Sequence, residues 1–161
     1  MDAIRDTDTT EKMVETPEQP KAKKHVLIVE DYDFYSDFLR ENLSQEYNVE
    51  IADNLKDARV KAQKMRLNGG LDLVITDLYF PTFPNFKEDK YESKKFYNMP
   101  EKNGNNFAKF IRKFYPNTPI IGLSQKSQEF EQEYFNRTYN KQEIGENIKT
   151  LDLTFNGDYA A

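Results

Sequence analysis

Three short apolar runs constrain this chain more than any other feature of it. Val26-Leu27-Ile28-Val29, Leu71-Asp72-Leu73-Val74-Ile75-Thr76 and Pro119-Ile120-Ile121-Gly122-Leu123 are brief, rich in β-branched residues and almost continuously apolar. Strands buried on both faces read this way, and such strands belong to parallel sheets covered by helices. The segments between them carry helical spacing. Phe34, Tyr35, Phe38, Leu39 and Leu43 recur at close to 3.6 residues, with Asp33 placed to cap them. Asn54 opens a second helix with Leu55, Ala58, Ala62 and Met65 on one face, and Gly69-Gly70 ends it. Phe107, Phe110, Ile111 and Phe114 form a third stripe, which Pro116 stops.

Weaker signals complete the pattern. Val49 and Ile51 mark a short second strand, and Thr138-Tyr139-Asn140 a fifth. Phe130, Tyr134 and Phe135 suggest a short helix, and Ile144, Ile148 and Leu151 a last helical face. Strand and helix therefore alternate along the chain, which implies one parallel sheet with helices on both faces. Ligands of such sheets sit at the carboxyl ends of the strands, near the point where strand order reverses.

Composition narrows the function. The chain has 161 residues, enough for one domain and a tail. It has no cysteine, which excludes disulfides, thiolate zinc sites and cysteine nucleophiles. A single histidine, His25, reads as a strand-edge residue and cannot build a His-rich metal site. The formal net charge of −5 argues against broad nucleic-acid binding. No apolar run approaches a membrane span, and the N-terminus lacks the apolar stretch of a signal peptide, so a cytoplasmic protein with no membrane contact is expected. Residues 1–23 are polar and should be a disordered tail, and 156–161 a second tail.

The strand ends carry the chemistry. Glu30 and Asp31 follow the first strand, Asp77 the third, Ser124 the fourth and Lys141 the weak fifth. In a parallel sheet these residues share one crevice. Clustered carboxylates repel, and a hard cation such as Mg2+ relieves that repulsion through oxygen ligands. A carboxylate beside such an ion can attack a phosphoryl group, and a hydroxyl and an ammonium match the phosphoryl oxygens.

At these residues the chain resembles the receiver domains of response regulators. His25-Val26-Leu27-Ile28-Val29-Glu30-Asp31 is similar to the family's first strand and acidic pair. Leu71 to Asp77 is similar to the strand that delivers its phosphoacceptor, and Pro119 to Ser124 to the strand that ends in its switch hydroxyl. The resemblance spans residues 24–155. It implies a flavodoxin-like, doubly wound, five-stranded parallel sheet of order 2-1-3-4-5. It also implies that Asp77 is the phosphoacceptor and that Asp31, Glu30, Asp77 and the Tyr79 carbonyl hold Mg2+. Ser124 would bond the phosphoryl group, and Lys141 would neutralise it. The partners implied are a sensor histidine kinase or phosphotransfer protein and an unknown downstream protein. The expected role is that of a stand-alone phosphorylation switch without a DNA-binding domain, rather than an enzyme.

The sequence departs from the family in places. Gln125 stands where a small residue usually follows the switch hydroxyl, and Gln142 where a proline usually follows the lysine. The switch-aromatic position is Thr138, with Tyr139 one residue later, and Lys126 is a possible substitute for Lys141. These departures keep open a second reading, a degenerate receiver that acts as a phosphorylation-independent interaction module. A flavin or nucleotide binder would need a Gly- or Ser/Thr-rich loop where Glu30-Asp31-Tyr32-Asp33 stands. An aspartyl-phosphate phosphatase would want an aspartate where Tyr79 stands.

Pro81 follows Asp77 at the family spacing, but the glycine due four residues later is Gly104, so residues 82–100 read as an insertion. Five aromatic residues lie among residues 82–99, too many for an ordinary solvated linker. The insertion is expected to gate the site or to supply partner specificity; the alternative is a passive loop. Excising residues 82–100 recreates the family spacing. The shortened chain should fold, with its rate of phosphorylation by a small donor changed severalfold. Unchanged rates and unchanged partner binding would leave the passive loop.

Overall fold

A computed structural model describes residues 17–84, 99–145 and 148–155. The tail before residue 17, most of the insertion (85–98) and the tail after residue 155 lie outside the described residues. Residues 17–23 have no regular secondary structure, and β1 begins at Lys24.

The sheet has five parallel strands in the order β2-β1-β3-β4-β5: β1 Lys24–Val29, β2 Tyr47–Ala52, β3 Leu73–Thr76, β4 Ile120–Ser124 and β5 Arg137–Asn140. The apolar runs are its three central strands, buried on both faces. Alternate residues of each strand serve different cores. Val26 and Ile28, with Ile75 and Leu123, pack under α1 (Asp33–Leu43). Leu27 and Val29, with Val74 and Ile120, pack under α2 (Leu55–Leu67) and α3 (Asn103–Phe114). Each fully buried aliphatic side chain contributes roughly 1.5–3 kcal/mol.

Local sequence sets most helix ends. Asn54 caps α2 by accepting from the Asp57 amide at 2.9 Å, as expected. Gly69 and Gly70 then take positive φ, which leaves the helix without strain. For α1 the cap position is Tyr32, and Asp33 is the first helical residue, favourable there to the helix dipole rather than as a cap.

One expected α-helix does not form, and the last is only one turn long among the described residues. Between β4 and β5 the chain makes two 3-10 turns, Ser127–Glu129 and Gln132–Tyr134. Phe130 lies on Gly122, where a Cβ would come within 2.8 Å of its ring, and stacks on Phe135 at 4.6 Å. Side chains of α3 satisfy the backbone that a helix would have satisfied. Asn105 donates to the Glu129 carbonyl and accepts from the Glu131 amide, and Arg112 donates to the Tyr134 carbonyl. After β5, α4 (Lys141–Ile144) lasts one turn and stops at Gly145, whose φ is 53°. Ile144 and Leu151 are buried as the spacing implied, and a 3-10 turn, Ile148–Thr150, directly precedes Leu151. Just beyond Leu151, Arg137 holds the chain through the carbonyls of Asp152 and Thr154 and the Asp152 carboxylate.

The base of the insertion is tightly built. Phe80 and Glu101 exchange two backbone hydrogen bonds of 3.2 Å, and Phe80 is fully buried. The carbonyls of Pro81 and Thr82 accept from the first amides of α2, and Asn103 donates to Phe80 and Thr82. A cut beginning at Thr82 would break this anchor. Excision of residues 85–98 spares it.

The N-terminus of α3 also presses on the same loop. The Gly104 amide donates to the Leu78 carbonyl at 2.9 Å, and a Cβ on Gly104 would stand 2.2 Å from the Asp77 carbonyl oxygen. Backbone cannot yield that distance cheaply. Gly104→Ala should therefore destabilise the fold by about 1–3 kcal/mol, the usual range for overpacking, as read from urea unfolding. An unchanged midpoint would show that α3 can slide away from the Asp77 loop.

Candidate functional site

Strand register brings the acidic residues together. Val29 is level with Thr76, so Glu30 and Asp77, the next residues, emerge side by side. The Asp77 amide donates to the Val29 carbonyl at 2.8 Å and fixes that level. Oxygens of Glu30, Asp31 and Asp77 all lie within 4.8 Å of one another. Asp77 Oδ1 accepts from the Leu78 amide at 2.6 Å, and Glu30 from the Tyr32 amide at 3.1 Å.

Lys141 enters the same pocket from the end of β5. Its ammonium lies 2.5 Å from Glu30 and 2.9 Å from Asp77. Of the two lysines weighed from sequence, Lys141 is the one in the pocket; Lys126 lies over the Tyr79 ring at 5.3 Å. Gln142 in place of the usual proline does not prevent this, because the Asn140 side chain caps the short α4 through the Gln142 amide. Ser124 is buried at the end of β4, where its hydroxyl accepts from the Lys126 amide at 3.3 Å. Tyr79 follows Asp77 by two residues, and its side-chain hydroxyl donates to Glu129. Thr138 bonds Gln132, while the Tyr139 hydroxyl accepts from the Asp152 amide.

One pocket residue escaped the sequence reading. Tyr35 packs against the core under α1, as its spacing implies, and also borders the pocket: its ring lies 4.6 Å from the Lys141 ammonium, and its hydroxyl is buried without a hydrogen-bond partner among the described residues. The available signal was position: α1 starts directly after the acidic pair, so its first turn must border the pocket.

The electrostatics are those of an under-compensated acidic cluster. Burial, then the neighbouring Asp77, pushes the Glu30 carboxyl up to about 7, against the pull of Lys141. Burial also raises Asp31. For Lys141, burial opposes its charge, but Glu30 and Asp77 outweigh it and the net shift is upward. Were all three carboxylates ionised, as metal ligands are, one ammonium would leave about two negative charges in the pocket, the charge that one divalent cation offsets. The donor set is oxygen throughout, which suits Mg2+ and not a soft metal. These residues therefore fit the ion expected from sequence.

The Glu30 shift sets a pH dependence. The folded state binds this proton more tightly than the unfolded state, whose carboxyl titrates near its ordinary value of 4.5. The contribution is present below that pH and is lost as pH rises through about 7. Without divalent cations, the melting temperature should fall across this interval, and Glu30→Gln should flatten the fall. An equal slope in the variant would place the titration elsewhere.

No protein-family model and no curated protein sequence matches the chain. Solved structures do. Chemotaxis protein CheY4 of Vibrio cholerae is 25% identical with a TM-score of 0.55, over 74% of this chain and 88% of that one. Response regulator TrrA of Thermotoga maritima, solved in complex with Mg2+-BeF, is 24% identical with a TM-score of 0.53, over 79% of this chain and 97% of that one. A CheY-like receiver domain from Methylobacillus flagellatus is 19% identical with a TM-score of 0.52, over 74% and 87%. Sheet order, helix placement and these neighbours agree: the chain has the flavodoxin-like fold of CheY-like response-regulator receiver domains.

Proposed function

We propose that the chain is a receiver module of two-component signalling that accepts a phosphoryl group on Asp77 in a Mg2+-dependent reaction. The observation that carries this reading is the shared pocket of Glu30, Asp31, Asp77 and Lys141, assembled from three strand ends of a CheY-like fold. Glu30, Asp31 and Asp77, with the Tyr79 carbonyl, would hold Mg2+. The bound ion would neutralise the carboxylates and the phosphoryl oxygens, so that the two can approach.

The chain's own residues do the rest. The Leu78 amide orients the Asp77 carboxylate. A carboxylate oxygen of Asp77 forms a bond to phosphorus as the bond to the donor breaks. With a phosphohistidine donor the leaving group is an imidazole nitrogen; with acetyl phosphate it is acetate. The Lys141 ammonium, already on Asp77, stays with the negative charge as it moves to the phosphoryl oxygens. Ser124 offers its hydroxyl to the same oxygens from the neighbouring strand. The donor would be a histidine kinase or phosphotransfer protein. Residues 24–155 form the receiver domain, interrupted by the insertion.

A degenerate receiver is the second reading, and one observation favours it. Among the described residues no α-helix lies between β4 and β5, and the helix after β5 has one turn. That surface differs from a regular doubly wound fold, so output through it would need different contacts.

Labelling with acetyl phosphate separates the two readings. Incorporation should require Mg2+, be labile to base, and vanish in Asp77→Asn, a nearly isosteric change that keeps the fold. Mg2+ should raise the melting temperature by mass action, and Asp31→Asn should weaken its binding more than Glu30→Gln. Undiminished labelling of Asp77→Asn would overturn the assignment. Absence of Mg2+ binding would favour the degenerate module.

A further inference from the structure

Helices α2 and α3 carry eight basic side chains and a single acidic one, Asp57, in a chain whose formal net charge is −5. Some of this charge is used internally. Lys61 pairs with Asp57 at 3.1 Å, Lys109 with Glu131 at 2.9 Å, and Arg112 donates to the Thr118 carbonyl and the Asn136 side chain. Arg59, Arg66 and Lys113 are exposed and unpaired with any carboxylate in the described structure.

These three cations are arranged on an aromatic ladder. Phe110 packs on Phe114 at 5.0 Å and on Tyr115 at 6.2 Å. Arg59 lies over Phe110 at 5.5 Å, Arg66 over Tyr115 at 4.9 Å and Lys113 over Phe114 at 5.3 Å. Arg66 also donates to the Phe114 carbonyl at 3.1 Å. Ring contacts and that bond limit the freedom of the guanidinium groups, so less entropy is lost when they bind. A guanidinium has five N–H donors in a planar fork, so Arg66 keeps most of its donors for a carboxylate. Phe114 is 48% exposed beside them.

We propose that this face of α2 and α3 docks an acidic segment of a partner protein. Carboxylates of the segment meet Arg59, Arg66 and Lys113, and an apolar side chain of the segment rests on Phe114. Charge complementarity selects the partner: the face is basic within an otherwise acidic chain, so an acidic segment is drawn to this face rather than to the rest of the surface. Single-stranded nucleic acid fits less well, because it needs open ring faces for base stacking, and here cations cover a face of each ring. Arg66, Lys113, Phe114 and Tyr115 lie at the carboxyl ends of α2 and α3, which lead into the amino ends of β3 and β4, and Arg59 extends the face toward the middle of α2. It is therefore at the opposite end of the sheet from Asp77, and the proposal does not rest on the chemistry of that residue.

The test uses the full chain, isotope-labelled, without Mg2+ or phosphodonor. The probe is a synthetic peptide of about twelve residues, made of Asp and Glu around one Phe-Leu pair. An oligouridylate and phosphatidylserine vesicles are titrated in parallel. Peptide-induced amide shifts should map to α2 and α3. Affinity should fall about tenfold or more at high salt, as screening requires. Arg59→Glu/Arg66→Glu should lose at least about tenfold in affinity, with an unchanged melting temperature. If that double variant does not fold, Arg59→Glu and Lys113→Glu, both at exposed positions, read the same loss singly. Three results would overturn the proposal: no peptide binding, binding indifferent to charge reversal, or tighter binding of the oligonucleotide or vesicles at this face.

Discussion

Three carboxylates with oxygens within 4.8 Å of one another cannot all stay ionised in a largely buried pocket without positive charge among them. Much of the molecule is organised around this constraint. β1 and β3 bring Glu30 and Asp77 level, and β5 delivers Lys141 from 111 residues away to bridge them. Burial first, and then the charge of Asp77, outweigh the single ammonium, and the Glu30 carboxyl is pushed up to about 7. The pocket is thus built to welcome further positive charge.

The loop after Asp77 does more than present that residue. Its backbone caps α2 through the Pro81 and Thr82 carbonyls, and α3 begins against the Asp77 carbonyl, a contact that only glycine at 104 allows. Asp77 is therefore mechanically joined to the two helices on one side of the sheet. On that side Asn105 and Arg112 reach across to hold the segment between β4 and β5. Contacts made by side chains here replace the regular backbone bonding of a helix. The result is a receiver-like sheet and pocket with an altered surface beyond β4.

The sequence alone determined the sheet and the pocket. Period and branching marked the buried strands because burial on both faces tolerates little else. The polar residue ending each run could then point only to the crevice. Asn54, Gly69 and Gly70 marked the limits of α2, since capping and positive φ are local properties. Gly104, read from sequence as the far side of a split loop, proved to be where α3 packs against the Asp77 carbonyl too closely for any Cβ.

Tertiary structure decided what local pattern could not. Phe130, Tyr134 and Phe135 have a spacing that a helix or a pair of 3-10 turns can bury equally well, and the partners that chose the turns, Gly122, Asn105 and Arg112, lie elsewhere in sequence. Ile144 and Leu151 were legible as buried, but not the course of the chain just beyond Leu151, because Arg137 on β5 holds it at Asp152 and Thr154. Tyr35 counted as core by its period, yet it lines the charged pocket because Lys141 comes to it from the far end of the chain. Which of Lys126 and Lys141 comes to lie beside Asp77 was likewise decided only by strand register. Periodicity reports burial, a property each residue carries with its neighbours in sequence. Which distant group meets it is fixed by the order and register of strands, and that is decided only when the sheet is assembled.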